Sequence, residues 1–247
     1  MIGAPMLAAR SGYRAGCGLV QVAMPQEVLA AALSIVPEAI GLGLAGNEQD
    51  VLQFRNAMQR AAAVVAGPGM GQEPLAEALL RAVYTAELPA VLDADALNLL
   101  AEVDRWPDDF SAPAVLTPHP GEMKRLMKFL DGAPSPADEA GRIELCGHAA
   151  RTFGCVVVYK GHRSITSDGQ RYRVNTSGDN SLAKAGSGDV LAGLIGSLLA
   201  QGMPPFDAAI CGAHYHGLAG EAAGRALGQR AVLASDAADR VGEVMGP

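Results

Sequence analysis

Basic residues, aromatic side chains and long apolar runs are all scarce in this sequence of 247 residues. It holds 19 Lys and Arg against 26 Asp and Glu, a net charge of −7, whereas nucleic-acid binding needs a basic surface. No apolar run reaches the roughly 18 residues that cross a bilayer. Aromatic residues make up only 4% of the chain, so no interface hot spots stand out. We therefore expect no nucleic-acid partner and no membrane location.

The cysteines are few and dispersed. Four occur, and none forms a Cys-x-x-Cys pair: Cys17, Cys146, Cys155 and Cys211. Such spacing favours free thiols in a reducing cytoplasm over a disulfide framework. Ala15-Gly16-Cys17 faintly resembles a lipoprotein cleavage site, but Arg10 and Arg14 stand where the signal's apolar segment would lie. We therefore expect a cytoplasmic protein.

What the sequence has in quantity is apolar side chains, glycine and proline. Hydrophobic residues make up 49% of the chain, with 30 glycines and 15 prolines that follow no three-residue period. This composition excludes collagen and argues against disorder. It predicts a buried core with tight connections. We find no repeat, low-complexity tract or linker and expect a single domain over residues 1–247.

Short apolar runs alternate with stretches of helical periodicity. The predicted strands are Leu19–Ala23, Ala62–Ala66, Ala90–Leu92, Ala114–Leu116 and Cys155–Tyr159. The predicted helices are Gln26–Leu33, Glu73–Tyr84, Ala96–Leu100, one from Gly188 or Asp189 to Gly202, and Pro205–Leu227. After Tyr159 a hairpin is predicted, with strands Arg163–Thr166 and Gln170–Val174 and an Asp-Gly turn. Together these elements predict an α/β fold with three α/β/α layers and a mostly parallel central sheet.

Each predicted parallel strand from residue 62 onward ends in a glycine-rich or polar turn. The turns are GPGMG at 67–71, DADA at 93–96, TPHPGE at 117–122 and KGHRS at 160–164. Ligands of open α/β sheets bind beyond the carboxyl ends of the strands. The turns therefore predict a site along one edge of the sheet.

The segment Ala185-Gly186-Ser187-Gly188-Asp189 opens a long apolar helix. Free backbone N–H groups at a helix N-terminus, together with the helix dipole, bind anions. An aspartate in that turn could accept the proton of a substrate hydroxyl while the N–H groups hold a transferred phosphoryl group. An ordinary capped helix start explains the same residues. The segment alone leaves both interpretations open.

Two further turns have a ligand interpretation and a structural one. Gly67–Gly71 matches neither GxGxxG nor a Walker loop. Its glycines either let the backbone approach a ligand closely or form a tight turn between a strand and a helix. His119 stands between two prolines that stiffen the turn, which favours a ligand contact over a plain loop. It lacks the i, i+4 partner of a zinc motif.

The remaining polar candidates are equally open. Asp93 and Asp95 either act as acid and base, or reach a metal-bound phosphate, or cap the next helix. Lys160 either contacts a nucleotide or is a solvated charge before the hairpin. His214 and His216 are two apart on a predicted helix and share no face, so we interpret them as packing or surface residues.

In this order, the segments GPGMG, VLDADAL, LTPHPGE, VVYKG and NTSGDNSLAKAGSGDVLAG closely resemble the ADP/ATP-dependent NAD(P)H-hydrate dehydratases. These form the repair branch of the ribokinase-like superfamily. The opening GAPMLAARSGYRAGCGLVQVAMP resembles that family's first helix and second strand. The resemblance covers nearly the whole chain and implies a three-layer ribokinase-like fold.

The resemblance implies a repair reaction on nicotinamide nucleotides. The substrate is NADH or NADPH hydrated at C6, and ADP or ATP with Mg²⁺ is the co-substrate. Hydroxide is a poor leaving group and phosphate a good one, so phosphorylating the C6 hydroxyl lets the ring nitrogen expel phosphate. Loss of a C5 proton then restores the double bond. Small-molecule substrates and a homo-oligomer, often a tetramer, are the implied partners.

The resemblance also implies a role for each matched residue. Asp189 matches the GxGD aspartate, the base that activates the substrate hydroxyl. The anion hole is expected at Gly186, Ser187 and Gly188. The hydrated dinucleotide is expected at Ala4, Gly69, His119 and Asp189, with Asp93, Asn98 and Glu122 nearby. The adenine nucleotide is expected at Lys160, Gly161, His162, Arg163, Ser164 and Gly188. Metal ligands stay unassigned.

The chain departs from the family pattern at four points. Ser187 and Ser164 replace the usual threonines of GTGD and KGxxT and keep the hydroxyl. Asp179 replaces a usual asparagine and adds a negative charge near the expected phosphate site. The chain also starts just before Gly3-Ala4, so the resemblance implies that the family's first strand is lacking.

Two other functions stay open from the sequence. One is a ribokinase-like kinase for a thiazole or pyrimidine alcohol, and the other is an inactive nucleotide-binding remnant. The residues do not decide whether ADP or ATP is preferred, or whether the substrate is the NADH or the NADPH form. They also do not decide whether an epimerase domain was once fused upstream.

Overall fold

The structure is a computed structural model that describes residues 1–47, 49–104 and 106–246. The helices are α1 (Gly3–Arg14), α2 (Gln26–Leu33), α3 (Gln49–Met58), α4 (Pro74–Tyr84), α5 (Asp95–Glu102), α6 (Pro120–Leu126), α7 (Glu139–Phe153), α8 (Ser187–Ala200), α9 (Pro205–Leu227) and α10 (Ala234–Met245). The strands are β1 (Gln21–Pro25), β2 (Ile40–Leu44), β3 (Val64–Ala66), β4 (Ala90–Leu92), β5 (Ala114–Leu116), β6 (Val156–Tyr159), β7 (Ile165–Ser167) and β8 (Tyr172–Val174). Short 3-10 helices occupy Trp106–Asp109, Met127–Phe129 and Asn180–Leu182.

The described strands form two sheets. The central sheet has the order β3-β4-β5-β6-β7-β8. Strands β3 to β6 are parallel to one another, and β7 runs antiparallel to both of its neighbours, β6 and β8. Strands β1 and β2 pair in parallel as a separate ribbon. The predicted, mostly parallel sheet is therefore confirmed. The lack of a first strand stays a prediction.

The central strands are covered on both faces. Leu92 and Leu116 pack into a cluster with α4, α5, α6 and α7, whereas Val91 and Val115 pack against α8 and α9. Alternate residues of one strand point to opposite faces, so an uninterrupted apolar run is what a sheet buried on both sides requires. This arrangement confirms the three predicted layers.

Helix α1 lies in close contact with α8. A Cβ atom added to Gly193 would lie 2.0 Å from the carbonyl oxygen of Ala8. Beside this contact, Ser11 Oγ donates a buried hydrogen bond to the carbonyl oxygen of Val190, at 2.8 Å. The two helices carry Ala4 and Asp189, so this contact determines how far apart those two residues lie.

Several predicted boundaries agree with the structure, and others are wrong. Strands β4 and β5 and helices α2 and α9 have the predicted limits. Strand β1 begins two residues later than predicted, because Leu19 is exposed and the N–H of Val20 donates to Tyr13 Oη. The hairpin turn is longer than Asp-Gly, because Asp168 Oδ1 accepts hydrogen bonds from the N–H groups of Gln170 and Arg171.

Across residues 1–47, 49–104 and 106–246, none of the helices combines the length and the apolar character that a membrane crossing needs.

The contact at Gly193 generates a stability prediction. Alanine in a helix interior normally raises stability by about 1 kcal/mol relative to glycine. At Gly193 its Cβ would overlap the backbone of Ala8, so we expect Gly193→Ala to lower the free energy of unfolding by about 1–3 kcal/mol. Urea unfolding measures the change. Gly18→Ala, where no atom lies within 4 Å of the added Cβ, is the control, and a stabilised Gly193→Ala would contradict the prediction.

Candidate active site

The polar turns meet at the carboxyl edge of the central sheet. Backbone hydrogen bonds continue one residue beyond the strands: the N–H of Asp93 donates to Ala66, and that of Thr117 donates to Leu92, both at 3.1 Å. The N–H of Lys160 donates to Pro118 at 2.8 Å. The first residues of the DADA, TPHPGE and KGHRS turns are therefore fixed by the sheet itself.

Lys160 places a positive charge among carboxylates at this edge. Its Nζ lies 2.5 Å from Asp93 Oδ1 and 3.8 Å from Glu122 Oε2. The side chains of Asp93 and Glu122 are almost fully buried. A buried carboxylate needs a partner of opposite charge, so Lys160 stabilises both at once. The sequence interpretation of Lys160 as a solvated charge is wrong.

His119 and Glu122 form the start of α6. His119 Nδ1 accepts hydrogen bonds from the N–H groups of Gly121, at 3.0 Å, and Glu122, at 3.4 Å, while Glu122 Oε2 accepts from the His119 N–H at 2.7 Å. Because Nδ1 is an acceptor, the neutral ring carries its proton on Nε2. Nε2 lies 3.3 Å from Glu122 Oε1, and half of the His119 side chain is exposed.

Burial changes the protonation of the carboxyl groups here. Burial raises the pKa of Glu122 to about 7, although the charge of Lys160 opposes the rise. Burial, together with the negative charge of Asp93, raises the pKa of Asp189 to about 6, again opposed by Lys160. Burial and the charge of Lys160 lower the pKa of His119. Perturbed carboxyl groups in one cluster are typical of functional sites.

Asp189 lies in the first turn of α8. Gly186, the residue before the helix, has φ 87°, which glycine adopts at little cost. In the described chain no side chain accepts a hydrogen bond from the first N–H groups of α8. The helix start is therefore not capped by a side chain, although the first-turn position of Asp189 is the one that the helix dipole favours. A Cβ added to Gly188 would lie 3.3 Å from Lys160 Nζ and 3.5 Å from Asp93 Oδ2, so this helix end opens onto the carboxylate cluster.

The two aspartates of the DADA turn have separate partners. Asp93 pairs with Lys160, whereas Asp95 Oδ2 accepts a hydrogen bond from the N–H of Gly71 at 2.9 Å. Among the described residues no side chain caps α5, so the capping interpretation of this pair is wrong. Ala94 between them has φ 49° and ψ −117°, a strained conformation of the kind that clusters at functional sites.

The GPGMG turn combines a packing role with a place at the site. A Cβ added to Gly67 would lie 1.7 Å from the carbonyl oxygen of Asp93, so glycine is required there for packing. Gly69 contacts the start of the chain: the terminal amine of Met1 donates to its carbonyl oxygen at 3.3 Å. A Cβ added to Gly69 would also lie 3.1 Å from Pro5 Cδ. The turn therefore lies beside the first residues of α1, which include Ala4.

The KGHRS turn lies at the edge of the cluster, with residues 161–163 exposed. Its backbone is held from both sides, because Arg142 donates to the carbonyl oxygen of His162 at 3.0 Å and Ser164 Oγ donates to that of Gly161 at 3.1 Å. Arg163, with φ 55°, pairs with Glu139 at 2.7 Å. The conformation of the turn is therefore fixed by contacts within the protein.

Three other polar residues occupy distinct positions. Asn98 lies on α5, and its buried Oδ1 has no hydrogen-bond partner in the described part of the chain. Asp179 accepts hydrogen bonds from the N–H of Ser181 and from Gln229 Nε2, so it organises its own loop. His216, interpreted from the sequence only as a packing or surface residue, is buried, and its Nε2 lies 3.1 Å from Ser187 Oγ. No sequence motif marks that pair.

Two carboxylates beside the start of α8 are the candidate ligands for a metal ion. In residues 1–47, 49–104 and 106–246 there is no group of three or more His, Cys, Asp or Glu side chains that could hold a metal ion. Mg²⁺ typically binds one or two carboxylates and completes its shell with phosphates and water. Asp93 and Asp189 beside the start of α8 are carboxylates of that kind.

Comparison with known proteins identifies similar sequences and structures. The family model described as NAD(P)H-hydrate dehydratase matches residues 1–242. The chain is 39% identical to the bifunctional NAD(P)H-hydrate repair enzyme of Moorella thermoacetica, over 97% of this chain and 46% of that protein. It is 39% identical to the ADP-dependent (S)-NAD(P)H-hydrate dehydratase of Neisseria meningitidis, over 92% of this chain and 76% of that protein. The chain thus spans about half the length of its bifunctional relatives.

Solved structures show the same architecture. The ADP/ATP-dependent NAD(P)H-hydrate dehydratase of Bacillus subtilis, crystallised with ATP and Mg²⁺ and soaked with CoA, superposes with a TM-score of 0.83. The two chains are 27% identical, and the match covers 99% of this chain and 87% of the other. Structures of the ribokinase-like superfamily also match, so the expected ribokinase-like fold is confirmed.

The buried carboxyl group of Glu122 generates a prediction about pH and stability. Its pKa is about 7 in the folded protein against an ordinary 4.5, so the folded state binds a proton more tightly than the unfolded state. Stability is therefore lost as pH rises from about 4.5 to about 7, by at most about 3 kcal/mol. Glu122→Gln cannot ionise, and its amide oxygen can still accept from His119.

We expect the free energy of unfolding of Glu122→Gln to exceed that of the unmodified protein at pH 8. At pH 5 the two free energies of unfolding should be nearly equal. Urea unfolding at both pH values measures this. Glu77→Gln, at an exposed position of α4, is the control and should show no such pH dependence. A Glu122→Gln effect that is equal at both pH values would contradict the expectation.

Proposed function

Because the chain belongs to the NAD(P)H-hydrate dehydratase family, we propose that it repairs NADH or NADPH hydrated at C6, using ADP or ATP as phosphoryl donor. The observation that carries this proposal is the Asp189 carboxylate in the uncapped first turn of α8, next to Lys160. We also propose that residues 1–247 form one catalytic domain, since the family model spans residues 1–242.

Asp189 is suited to act as the general base. With a pKa of about 6, it is largely ionised at pH 7 and still basic enough to take the proton of a hydroxyl. The C6 oxygen then attacks the terminal phosphorus of the nucleotide, and the bond from that phosphorus to the bridging oxygen breaks. AMP leaves when ADP is the donor, and ADP leaves when ATP is the donor.

The start of α8 supports this transfer by electrostatics. The backbone N–H groups of Gly186 and Gly188, with the positive end of the helix dipole, are proposed to face the developing negative charge. The N–H of Ser187 already donates to the carbonyl oxygen of Lys184 at 3.3 Å, so Ser187 would contribute its hydroxyl. Mg²⁺ bound with the nucleotide would supply further charge neutralisation, with Asp93 and Asp189 as its nearest protein carboxylates. Gly188 lacks a side chain, so the phosphoryl group can approach Lys160.

Elimination completes the reaction. The lone pair of the ring nitrogen expels phosphate from C6, and loss of the C5 proton restores the double bond between C5 and C6. His119 is proposed to contact the dinucleotide through its half-exposed ring, which is fixed because Nδ1 accepts from the α6 backbone and Nε2 lies 3.3 Å from Glu122 Oε1. Ala4 and Gly69, brought near one another because the GPGMG turn contacts Met1 and Pro5, are proposed to hold the dinucleotide, with Asn98 and Glu122 nearby.

The nucleotide is proposed to lie along KGHRS, from Lys160 to Ser164. The exposed residues Gly161, His162 and Arg163 are proposed to contact the base and ribose. Specific preference for ADP is supported by the ADP-dependent relative from Neisseria meningitidis. Acceptance of ATP is supported by the Bacillus subtilis enzyme.

We further propose a homo-oligomer, a tetramer by family resemblance, in the cytoplasm. Leu19 and Ile40, near the β1–β2 ribbon, are large exposed hydrophobic residues that association could cover. All four cysteines are free thiols, which suits a reducing compartment.

The role of Asp189 generates a direct test of the activity. We expect Asp189→Asn to lower the rate by roughly 10²- to 10⁴-fold, because the hydroxyl proton then has no acceptor. The assay incubates hydrated NADH with ADP and Mg²⁺ and follows the absorbance of the reduced ring. Asp207→Asn, in the exposed first turn of α9, is the matched control and should keep full activity.

Two outcomes of that assay would overturn the proposal. Phosphorylation of a thiazole or pyrimidine alcohol without repair of hydrated NADH would make the chain a small-molecule kinase. A negligible rate that Asp189→Asn does not change, with AMP or NAD(P) still raising the melting temperature, would make it a nucleotide-binding remnant.

The pKa of Asp189 also predicts the pH dependence of turnover. Since the base must be ionised, kcat/KM falls as pH drops through about 6. The negative charge of Asp93 raises that pKa, so Asp93→Asn moves the acidic limb of the pH profile to lower pH. Profiles of both proteins between pH 5 and 8 measure the shift, and an acidic limb that stays in place would argue against Asp189 as the base.

A further inference from the structure

A buried pair of side chains joins α8 to α9 behind the candidate anion hole. His216 Nε2 lies 3.1 Å from Ser187 Oγ, and the two residues are 29 positions apart in the chain. Ser187 is 7% exposed and His216 is 8% exposed. The pair lies on the protein side of the first turn of α8, so His216 is within reach of the hydroxyl but away from solvent.

The segment of α9 that carries His216 is held in place by the loop before α8. Ser177 Oγ donates to the carbonyl oxygen of His214 at 2.7 Å, and Asn175 Nδ2 donates to that of Ala213 at 3.2 Å. One turn later, Glu221 Oε1 accepts from the N–H of Gly178 at 2.7 Å. The position of the imidazole relative to Ser187 is therefore fixed by several contacts outside the pair.

The imidazole of His216 is neutral at physiological pH. Burial and the charge of Lys160 lower its pKa to about 4. A neutral ring has one N–H and one lone pair. If Nε2 carried the lone pair, the Ser187 hydroxyl would donate to it and would have no hydrogen left for an anion. If Nε2 carries the hydrogen, it donates to Oγ, and the hydroxyl hydrogen is free to point at the site.

The second arrangement matches the surroundings. An anion hole needs donors, and the first turn of α8 receives no side-chain cap within the described residues. We propose that His216 is a positioning residue: its Nε2–H donates to Ser187 Oγ and thereby aims the Ser187 hydroxyl hydrogen at the phosphoryl group being transferred. This inference rests on the proposed function and extends it to a residue that does not touch the substrate.

A double-mutant cycle tests whether His216 acts through Ser187. We expect His216→Leu to lower kcat by roughly ten- to a hundredfold, with KM for the hydrated dinucleotide unchanged. This is less than the roughly 10²- to 10³-fold effect of removing one donor to a developing charge, because the Ser187 hydroxyl would be misaligned and not removed. In a Ser187→Ala background the same change should have little further effect on kcat. His216→Gln, which keeps an N–H donor, should recover part of the rate.

Controls separate positioning from folding. His214→Leu, an exposed histidine on the same helix, should leave kcat unchanged. The melting temperature of every variant is measured, and kcat is compared only among variants that stay folded at the assay temperature. If His216→Leu does not fold, the cycle is run with His216→Met, which also lacks an N–H donor. Equal losses of kcat in the presence and absence of the Ser187 hydroxyl, or no loss at all, would overturn the inference.

A readout without substrate distinguishes this inference from the proposed function. Nitrogen-15 NMR of histidine-labelled protein reports which ring nitrogen of His216 carries the hydrogen, with the signal assigned by its loss in His216→Gln. We expect hydrogen on Nε2 in the free protein. Hydrogen on Nδ1 overturns the inference even if the enzyme repairs hydrated NADH. Absence of repair with hydrogen on Nε2 instead overturns the proposed function and leaves the Ser187 hydroxyl aimed at an anion of another reaction.

Discussion

The ammonium group of Lys160 is the charge on which the arrangement of this site depends. It contacts the buried carboxylate of Asp93 and lies within 4 Å of Glu122, and it opposes the rise in pKa at Asp189. A cluster of carboxylates at the end of a sheet would otherwise repel itself and take up protons. With Lys160 in place, Asp189 can be ionised and basic at the same pH, which a general base requires.

The packing of the layers fixes the position of α8 relative to the start of the chain. Close contact of α1 with α8 at Gly193 brings the start of the chain, beside Gly69, to face the helix that carries Asp189. On the other side, α9 contacts both the loop before α8 and the Ser187 hydroxyl. Helix α8 is therefore supported from two directions, and its first turn, which has no side-chain cap, is positioned by contacts with α1 and α9.

Local patterns predicted much of the fold. The valine- and alanine-rich runs of β4 and β5 and the periodicity of α2 and α9 were sufficient to predict those elements to the residue. The Ile40–Leu44 strand was not predicted, because two of its five residues are glycines and glycine has low strand propensity. Helix α7 was also missed, since its buried residues include Cys146 and Gly147, and glycine weakens the helical signal.

The sequence alone determined which chemical groups the strand ends carry: aspartates, a histidine between prolines, a lysine, and an aspartate at a glycine-rich helix start. These features depend on residues that are adjacent in the chain, because backbone preferences and turn chemistry act over short distances in sequence. Only the tertiary structure decided how they pair. Lys160 meets Asp93 across 67 positions and Ser187 meets His216 across 29, and burial sets the pKa values of Glu122 and Asp189. Burial and long-range contact arise only when the layers pack, so no local pattern carries them.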